Sequence, residues 1–210
     1  MADMDLRETY DRIADDWHKD HLKDDWWIAA TDHFISLFKP GAWILDVGCG
    51  SGLKSKYLVQ HGLNVVGIDL SDKMIQIAKR EAPSAKFFVM DMSDSPELQR
   101  KINKKFDGVF IQAALLHISK DKAFAVLAGL VTILKPGGYL YVAVKGSHPG
   151  EKDEAIVKEN DYGYEYERFF SYFTKEEIEK YFDDLKFGIC YESPAGPGKT
   201  KWIQIIGRSS

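Results

Sequence analysis

The 210 residues, 45% hydrophobic and 29% charged, suffice for one α/β domain that buries roughly 70% of its unfolded surface. A net charge of −4 gives no global attraction to phosphate backbones and argues against a general nucleic-acid binder. Cys49 and Cys190 have no paired spacing, so neither disulfides nor a zinc site is indicated. With no signal peptide and no apolar run near ~18 residues, a cytoplasmic protein without a membrane anchor is expected.

Residues 1–39 form a helical, charged and aromatic extension. Tyr10, Ile13 and Trp17 fall at i, i+3 and i+7 on one stripe, the spacing that docks a helix by its apolar face. Trp26 and Trp27 are expected to pack rather than to cage a cation. Trp43 to Val47 then reads as a buried strand emptying into Gly48-Cys49-Gly50-Ser51-Gly52, with helical spacing resuming at Leu53, Tyr57 and Leu58. Strand, glycine turn and helix open a nucleotide-binding βαβ unit. The spacing is G-x-G-x-G, because position 53 is Leu, and this departs from the dinucleotide fingerprint G-x-G-x-x-G. Cys49 fits as a small filler within the turn.

Asn64 to Ile68 is a second strand ending at Asp69, about 20 residues after Gly48. A carboxylate there can accept both hydroxyls of a ribose, or it can cap the helix that starts at Ser71. Lys86 to Met90 forms a third strand closed by Asp91, and the strand beginning at Phe106 is closed by Gln112 and Ala113. A helix from Asp121 to Leu134 is predicted to stop at Pro136-Gly137-Gly138, with Lys135 in its last turn. Residues 146–173 break the alternation with Gly146, Pro149, Gly150, Asp161 and Gly163, and carry five aromatics between Tyr162 and Phe170. Thr174 and Glu177 make a capping box for a helix through Tyr181. Leu185 to Tyr191 and Lys201 to Ile206 read as closing strands, joined by a Ser193–Gly198 loop that could cover a site. Lys101, Lys104 and Lys105 form the only dense basic run.

Leu45-Asp46-Val47-Gly48-Cys49-Gly50-Ser51-Gly52 and Gly67-Ile68-Asp69-Leu70-Ser71-Asp72-Lys73-Met74 resemble the cofactor loop and ribose segment of class I S-adenosylmethionine-dependent methyltransferases. Phe88-Val89-Met90-Asp91-Met92, Phe106-Asp107-Gly108-Val109-Phe110 and Leu134-Lys135-Pro136-Gly137-Gly138-Tyr139-Leu140 are similar to later segments of that family, in its order, from about residue 40 to 145. The resemblance implies an α/β, Rossmann-like, seven-stranded and mostly parallel sheet with helices on both faces and the last strand antiparallel. Residues 1–39 would be an N-terminal lid, residues 40–210 the methyltransferase domain, and residues 146–173 a substrate-side insertion.

S-adenosylmethionine is the implied cofactor, with S-adenosylhomocysteine as product and methyl transfer by in-line displacement to an O, N or S atom of a small molecule. The implied cofactor-binding residues are Tyr10, Asp46, Gly48, Cys49, Gly50, Gly52, Asp69, Leu70, Met74, Asp91, Met92, Gln112 and Ala113. Among them Asp91 would take adenine N6, Met92 the ring face, and the carbonyls of Gln112 and Ala113 the ammonium group. His117 stands where a general base would be useful, although a satisfied or exposed histidine fits equally. Trp17, Lys145 and Arg168 are candidate substrate residues, the last two for an acidic acceptor or as solvated surface charge. No metal is implied, and the chain is expected to act as a monomer or homodimer. An RNA methyltransferase, a non-catalytic cofactor-binding module and a nicotinamide oxidoreductase remain as successively weaker readings.

Overall fold

Short β-branched runs separated by amphipathic helices can bury both faces of each strand only by assembling a parallel sheet between two helical layers. In the computed structural model, which describes residues 5–148, 150, 152–194 and 200–210, that is the arrangement found. The strands are β1 (Trp43–Val47), β2 (Asn64–Asp69), β3 (Lys86–Val89), β4 (Phe106–Gln112), β5 (Leu134–Lys145), β8 (Phe187–Ser193) and β9 (Trp202–Ser209), in the order β3-β2-β1-β4-β5-β9-β8. β1 to β5 pair in parallel, and the final strand β9 runs antiparallel to both β5 and β8, as the resemblance implied.

Alternate residues along each strand divide the core. Leu45, Val47, Val66, Ile68, Val109 and Ile111 face α5 (Ser95–Ile102), α6 (Lys120–Val131) and α7 (Lys175–Asp184). Ile44, Val65, Phe110 and Tyr141 face α2 (Ile28–Ser36) and α3 (Leu53–Gln60). Phe87 packs beneath α4 (Asp72–Glu81) with Ile75 and Ala78. Trp26 stacks on Trp202 at 4.3 Å and is a packing residue as expected. Trp27 is buried, but its ring centre also stands 5.4 Å from the Lys54 ammonium, so that it meets a cation as well as packing. Residues 146–173 hold a separate antiparallel hairpin, β6 (Glu154–Glu159) and β7 (Tyr166–Ser171). The Thr174–Glu177 capping box is present and opens α7.

Several boundaries differ from expectation, and the closing strands β8 and β9 run Phe187–Ser193 and Trp202–Ser209 rather than Leu185 to Tyr191 and Lys201 to Ile206. Helix α6 ends at Val131, and Pro136-Gly137-Gly138 lies inside β5 rather than at a helix end. The Phe106 amide takes the Ile133 carbonyl, which starts β5 early, and the ladder then slips between the Phe106–Leu134 and Gly108–Tyr139 pairs. The Pro-Gly-Gly segment absorbs that slip, with Gly137 at φ +72°. Helix α7 continues to Asp184, and Lys186, at φ +63°, turns the chain into β8. Pro149 and most of the anticipated Ser193–Gly198 loop (residues 195–198) lie outside the described residues.

Phe182 of α7 is fully buried, meets Phe187 edge-on at 6.0 Å, and fills the space where a Cβ on Gly207 would come within 2.6 Å. Phe182→Ala should cost about 3–5 kcal/mol in urea denaturation. A loss below about 1 kcal/mol would mean that α7 does not seal this end of the core.

Candidate functional site

After β1 the chain winds outward through β2 and β3, then returns across β1 to lay down β4. This reversal opens a crevice at the carboxyl ends of β1 and β4, where open parallel sheets hold ligands. A cavity of about 290 Å³ lies there. Asp46, Gly48, Cys49 and Gly50 come to its wall from β1 and the following turn, and Lys54 from the first turn of α3. Asp69, Leu70 and Met74 come from the end of β2 and α4; Met90, Asp91 and Met92 follow β3. Gln112, Ala113, Ala114, His117 and Ile118 line the β4 side, while Leu6, Tyr10 and Trp17 of α1 (Leu6–His21) form the cover.

The glycines divide by role. A Cβ on Gly48 (φ +65°) would stand 2.3 Å from the Ala114 Cβ, so this turn can pass only without a side chain. Gly52 is absent from the cavity wall. It serves the close approach of α3 to α4, because its Cβ would lie 2.8 Å from the Ala78 Cα. The sequence pattern grouped Gly52 with cofactor contacts; packing explains it instead.

Asp69 accepts the Gly50 amide at 2.8 Å and the Ser71 amide at 2.9 Å. Ser71, rather than Asp69, caps α4 by accepting the Met74 amide at 3.0 Å. Burial pushes the Asp69 carboxyl up, and the two amides draw it back. Asp46 is buried too, and desolvation raises its carboxyl to about 6 against the hydroxyl that Ser55 donates at 2.5 Å. Asp91 accepts the Ser93 amide and hydroxyl at 2.8 and 2.7 Å. Cys49 packs with Ile75, Ala78 and Phe87, and burial pushes its thiol up, as suits a neutral filler. Both amide atoms of Gln112, a residue 7% exposed, have no partner among the described residues.

Helix α1 is fastened over the cavity at both ends. Arg7 Nε donates to the Leu70 carbonyl at 2.9 Å, Asp11 accepts the Ser71 hydroxyl at 2.6 Å, and His18 Nδ1 lies 3.0 Å from Ser51 Oγ. Ile13 and Ala14 are buried, while Tyr10 and Trp17 turn into the cavity. The apolar stripe therefore both docks the helix and contributes to the wall.

His117 is held from both sides. Its Nδ1 lies 2.7 Å from the Phe169 carbonyl, which only accepts, so Nδ1 carries the hydrogen and Nε2 accepts from the Tyr10 hydroxyl at 2.7 Å. Arg168 Nη1 donates in turn to that hydroxyl at 3.4 Å. Burial lowers the imidazole to about 3, with the Phe169 carbonyl opposing that shift. His117 is thus neutral, and its free lone pair is occupied by Tyr10.

Neither Lys145 nor Arg168 reaches the cavity wall. Arg168 makes two 2.6 Å bonds to Glu159, which balance its charge. Lys145 stands 3.7 Å over the Phe170 ring, and burial lowers it to about 8. The basic run lies near the other edge of the sheet: Lys104 covers the ring of Trp43, the first residue of β1, and Lys101 pairs with Glu97 at 3.1 Å. Among the described residues, no group of three or more His, Cys, Asp or Glu could hold a metal, and no helix is long and apolar enough to cross a membrane. Sequence reasoning missed Lys54, which has only the signal of being the second residue after the glycine turn.

The unfolded chain protonates His117 near 6.5, whereas the folded chain resists until about 3. His117 therefore contributes stability above pH 6.5 that is lost as pH falls towards 3. Asp46 acts oppositely, since its raised carboxyl favours the folded state as pH falls from about 6 towards 3.8. Urea midpoints of wild type and His117→Asn between pH 7.5 and 4.5 separate the two: the variant should lose less stability on acidification. Parallel profiles would refute a buried neutral imidazole.

Residues 44–138 match a family model described as a methyltransferase domain. The S-adenosyl-L-methionine-dependent Diels-Alderase iccD of Talaromyces variabilis is 35% identical over 120 residues, 54% of this chain and 40% of that one. The ubiquinone biosynthesis O-methyltransferase of Coxiella burnetii is 29% identical over 134 residues, 57% of this chain and 56% of that one. The chain thus spans about half the length of the curated relatives it matches. The Burkholderia thailandensis 1,6-didemethyltoxoflavin-N1-methyltransferase, solved with 1,6-didemethyltoxoflavin and S-adenosylhomocysteine, shares the fold over 98% of this chain and 87% of its own, with a TM-score of 0.74 and 18% identity. The domain match falls on the units that build the cavity, and the fold is shared along nearly the whole length.

Proposed function

We propose that this protein transfers a methyl group from S-adenosylmethionine to a small molecule. One observation carries the reading: a single cavity at the strand reversal gathers the glycine turn, the acid closing β2 and the acid after β3 beneath a fastened helix. The donor set fits the group. Gly48 and Gly50 leave backbone open to a ligand, Asp69 has carboxylate lone pairs for ribose hydroxyls, and Asp91 can accept an exocyclic amine. Leu70, Met74 and Met92 provide apolar contact for a base, and Asp46, with the Gln112 and Ala113 carbonyls, suits an ammonium group. The unpartnered amide of Gln112 indicates a wall built to meet a polar ligand.

When bound, S-adenosylmethionine supplies an electrophilic methyl on a positively charged sulfur. The protein's contribution is then alignment, which can supply roughly 7–11 kcal/mol, and exclusion of water by α1. His117 with its neutral imidazole positions Tyr10 at the cavity mouth. Because Glu159 balances Arg168, only Lys145 of the two candidate cations is left to attract an acidic acceptor. A second reading, cofactor binding without methyl transfer, is kept in view by the relative named a Diels-Alderase.

Calorimetric titration should give micromolar or tighter binding of S-adenosylhomocysteine and none of NAD; the reverse preference would sink the cofactor assignment. Label appearing on a member of a small-molecule acceptor panel would separate transfer from binding alone, whereas label on bulk tRNA would favour the RNA reading. Asp69→Ala should weaken S-adenosylhomocysteine by about tenfold to a hundredfold, from the loss of charge-assisted bonds of roughly 1.5–3 kcal/mol. Unchanged affinity would remove Asp69 from the site.

A further inference from the structure

The cavity wall contains one cation that the reading above leaves unused. Lys54 extends from the first turn of α3, is half-buried, and lines the cavity, where loss of hydration lowers its ammonium. Its ammonium lies 5.7 Å from the ring centre of Trp17 and 5.4 Å from that of Trp27, within cation–π range of both. It takes part in none of the ion pairs found among the described residues. Asp24 and Asp46 stabilise its charge from farther away. A partly desolvated cation without a close anion carries a cost, and aromatic faces offset only part of it. A ligand anion would offset the rest.

Asp46, on the same wall, feels the Lys54 charge, and so a buried carboxylate and a half-buried lysine face one cavity without forming an ion pair with each other. Gln112 adds an unpartnered amide. A separated anion, cation and amide is the complement of an α-amino acid, which carries ammonium and carboxylate on one carbon. Asp69 and Asp91 occupy the part of the wall assigned above to the nucleoside.

Resting on the cofactor reading, we propose that Lys54 binds the carboxylate of the cofactor's amino-acid arm, while Asp46 and Gln112 take its ammonium. The indole faces of Trp17 and Trp27 hold the lysine in place before the ligand arrives. Because Trp17 belongs to α1, closure of that helix and recognition of the carboxylate depend on the same side chain.

Two ligands test this by calorimetry: S-adenosylhomocysteine, which carries the amino-acid arm, and 5′-methylthioadenosine, which lacks it. Lys54→Met keeps the apolar stem and removes the charge. It should weaken S-adenosylhomocysteine about tenfold to a hundredfold and leave 5′-methylthioadenosine within about twofold, which also shows that the variant is folded. Lys54→Arg should recover most of the lost affinity. In the wild type, decarboxylated S-adenosylhomocysteine should bind at least about tenfold more weakly than the intact ligand, a measurement independent of any variant's folding. Equal losses for both ligands in Lys54→Met, or unchanged affinity for S-adenosylhomocysteine, would overturn the assignment. If wild type bound 5′-methylthioadenosine but did not discriminate between the two homocysteine ligands, the carboxylate role would fall while the nucleoside site stood. Binding of none of the ligands would overturn the cofactor reading together with this one.

Discussion

Asp69 ties together the elements that make the cavity. One carboxylate oxygen takes the Gly50 amide of the turn after β1, and the other takes the Ser71 amide at the start of α4. Those amides have no strand or helix partner of their own, so the acid satisfies donors that burial would otherwise leave expensive. The result is a fixed separation between the glycine turn and the tip of β2. Ser71, freed from any need for a cap from Asp69, caps α4 itself and offers its hydroxyl to Asp11 of α1. The covering helix is thereby referenced to the same corner.

The electrostatics of the cavity follow from burial more than from pairing. Asp46, Asp69 and Lys54 all lose hydration, which raises the two acids and lowers the lysine. His117 loses its charge altogether and becomes one link in a directed chain, from Arg168 to Tyr10 to His117 to the Phe169 carbonyl. That chain joins α1, the turn after β4 and the β6–β7 hairpin. The covering helix and the hairpin are thus positioned against each other beside the site, although they lie far apart in the sequence.

Much of the fold was legible because local chemistry and tertiary role coincide. β1 and β2 are bounded by residues whose type is dictated nearby: glycines where a Cβ would collide, acids where a strand ends at the carboxyl edge. The capping box at Thr174 is likewise a purely local device. Pro136-Gly137-Gly138 misled because a helix stop and a strand irregularity use the same residues, and the partner that decides between them, Phe106, is distant in sequence. Gly52 misled for a similar reason, since a glycine needed for helix contact looks the same as one needed for ligand contact.

The sequence by itself determined the α/β alternation, the carboxyl-edge acids Asp69 and Asp91, and the docking stripe of α1, because each depends on spacing within a few residues. Only the tertiary structure decided which charges remain available. It paired Arg168 with Glu159, turned His117 into a neutral acceptor for Tyr10, and placed Lys54 between two indoles without an anion. Charge availability depends on partners and burial contributed by remote segments, and spacing along one chain does not encode either.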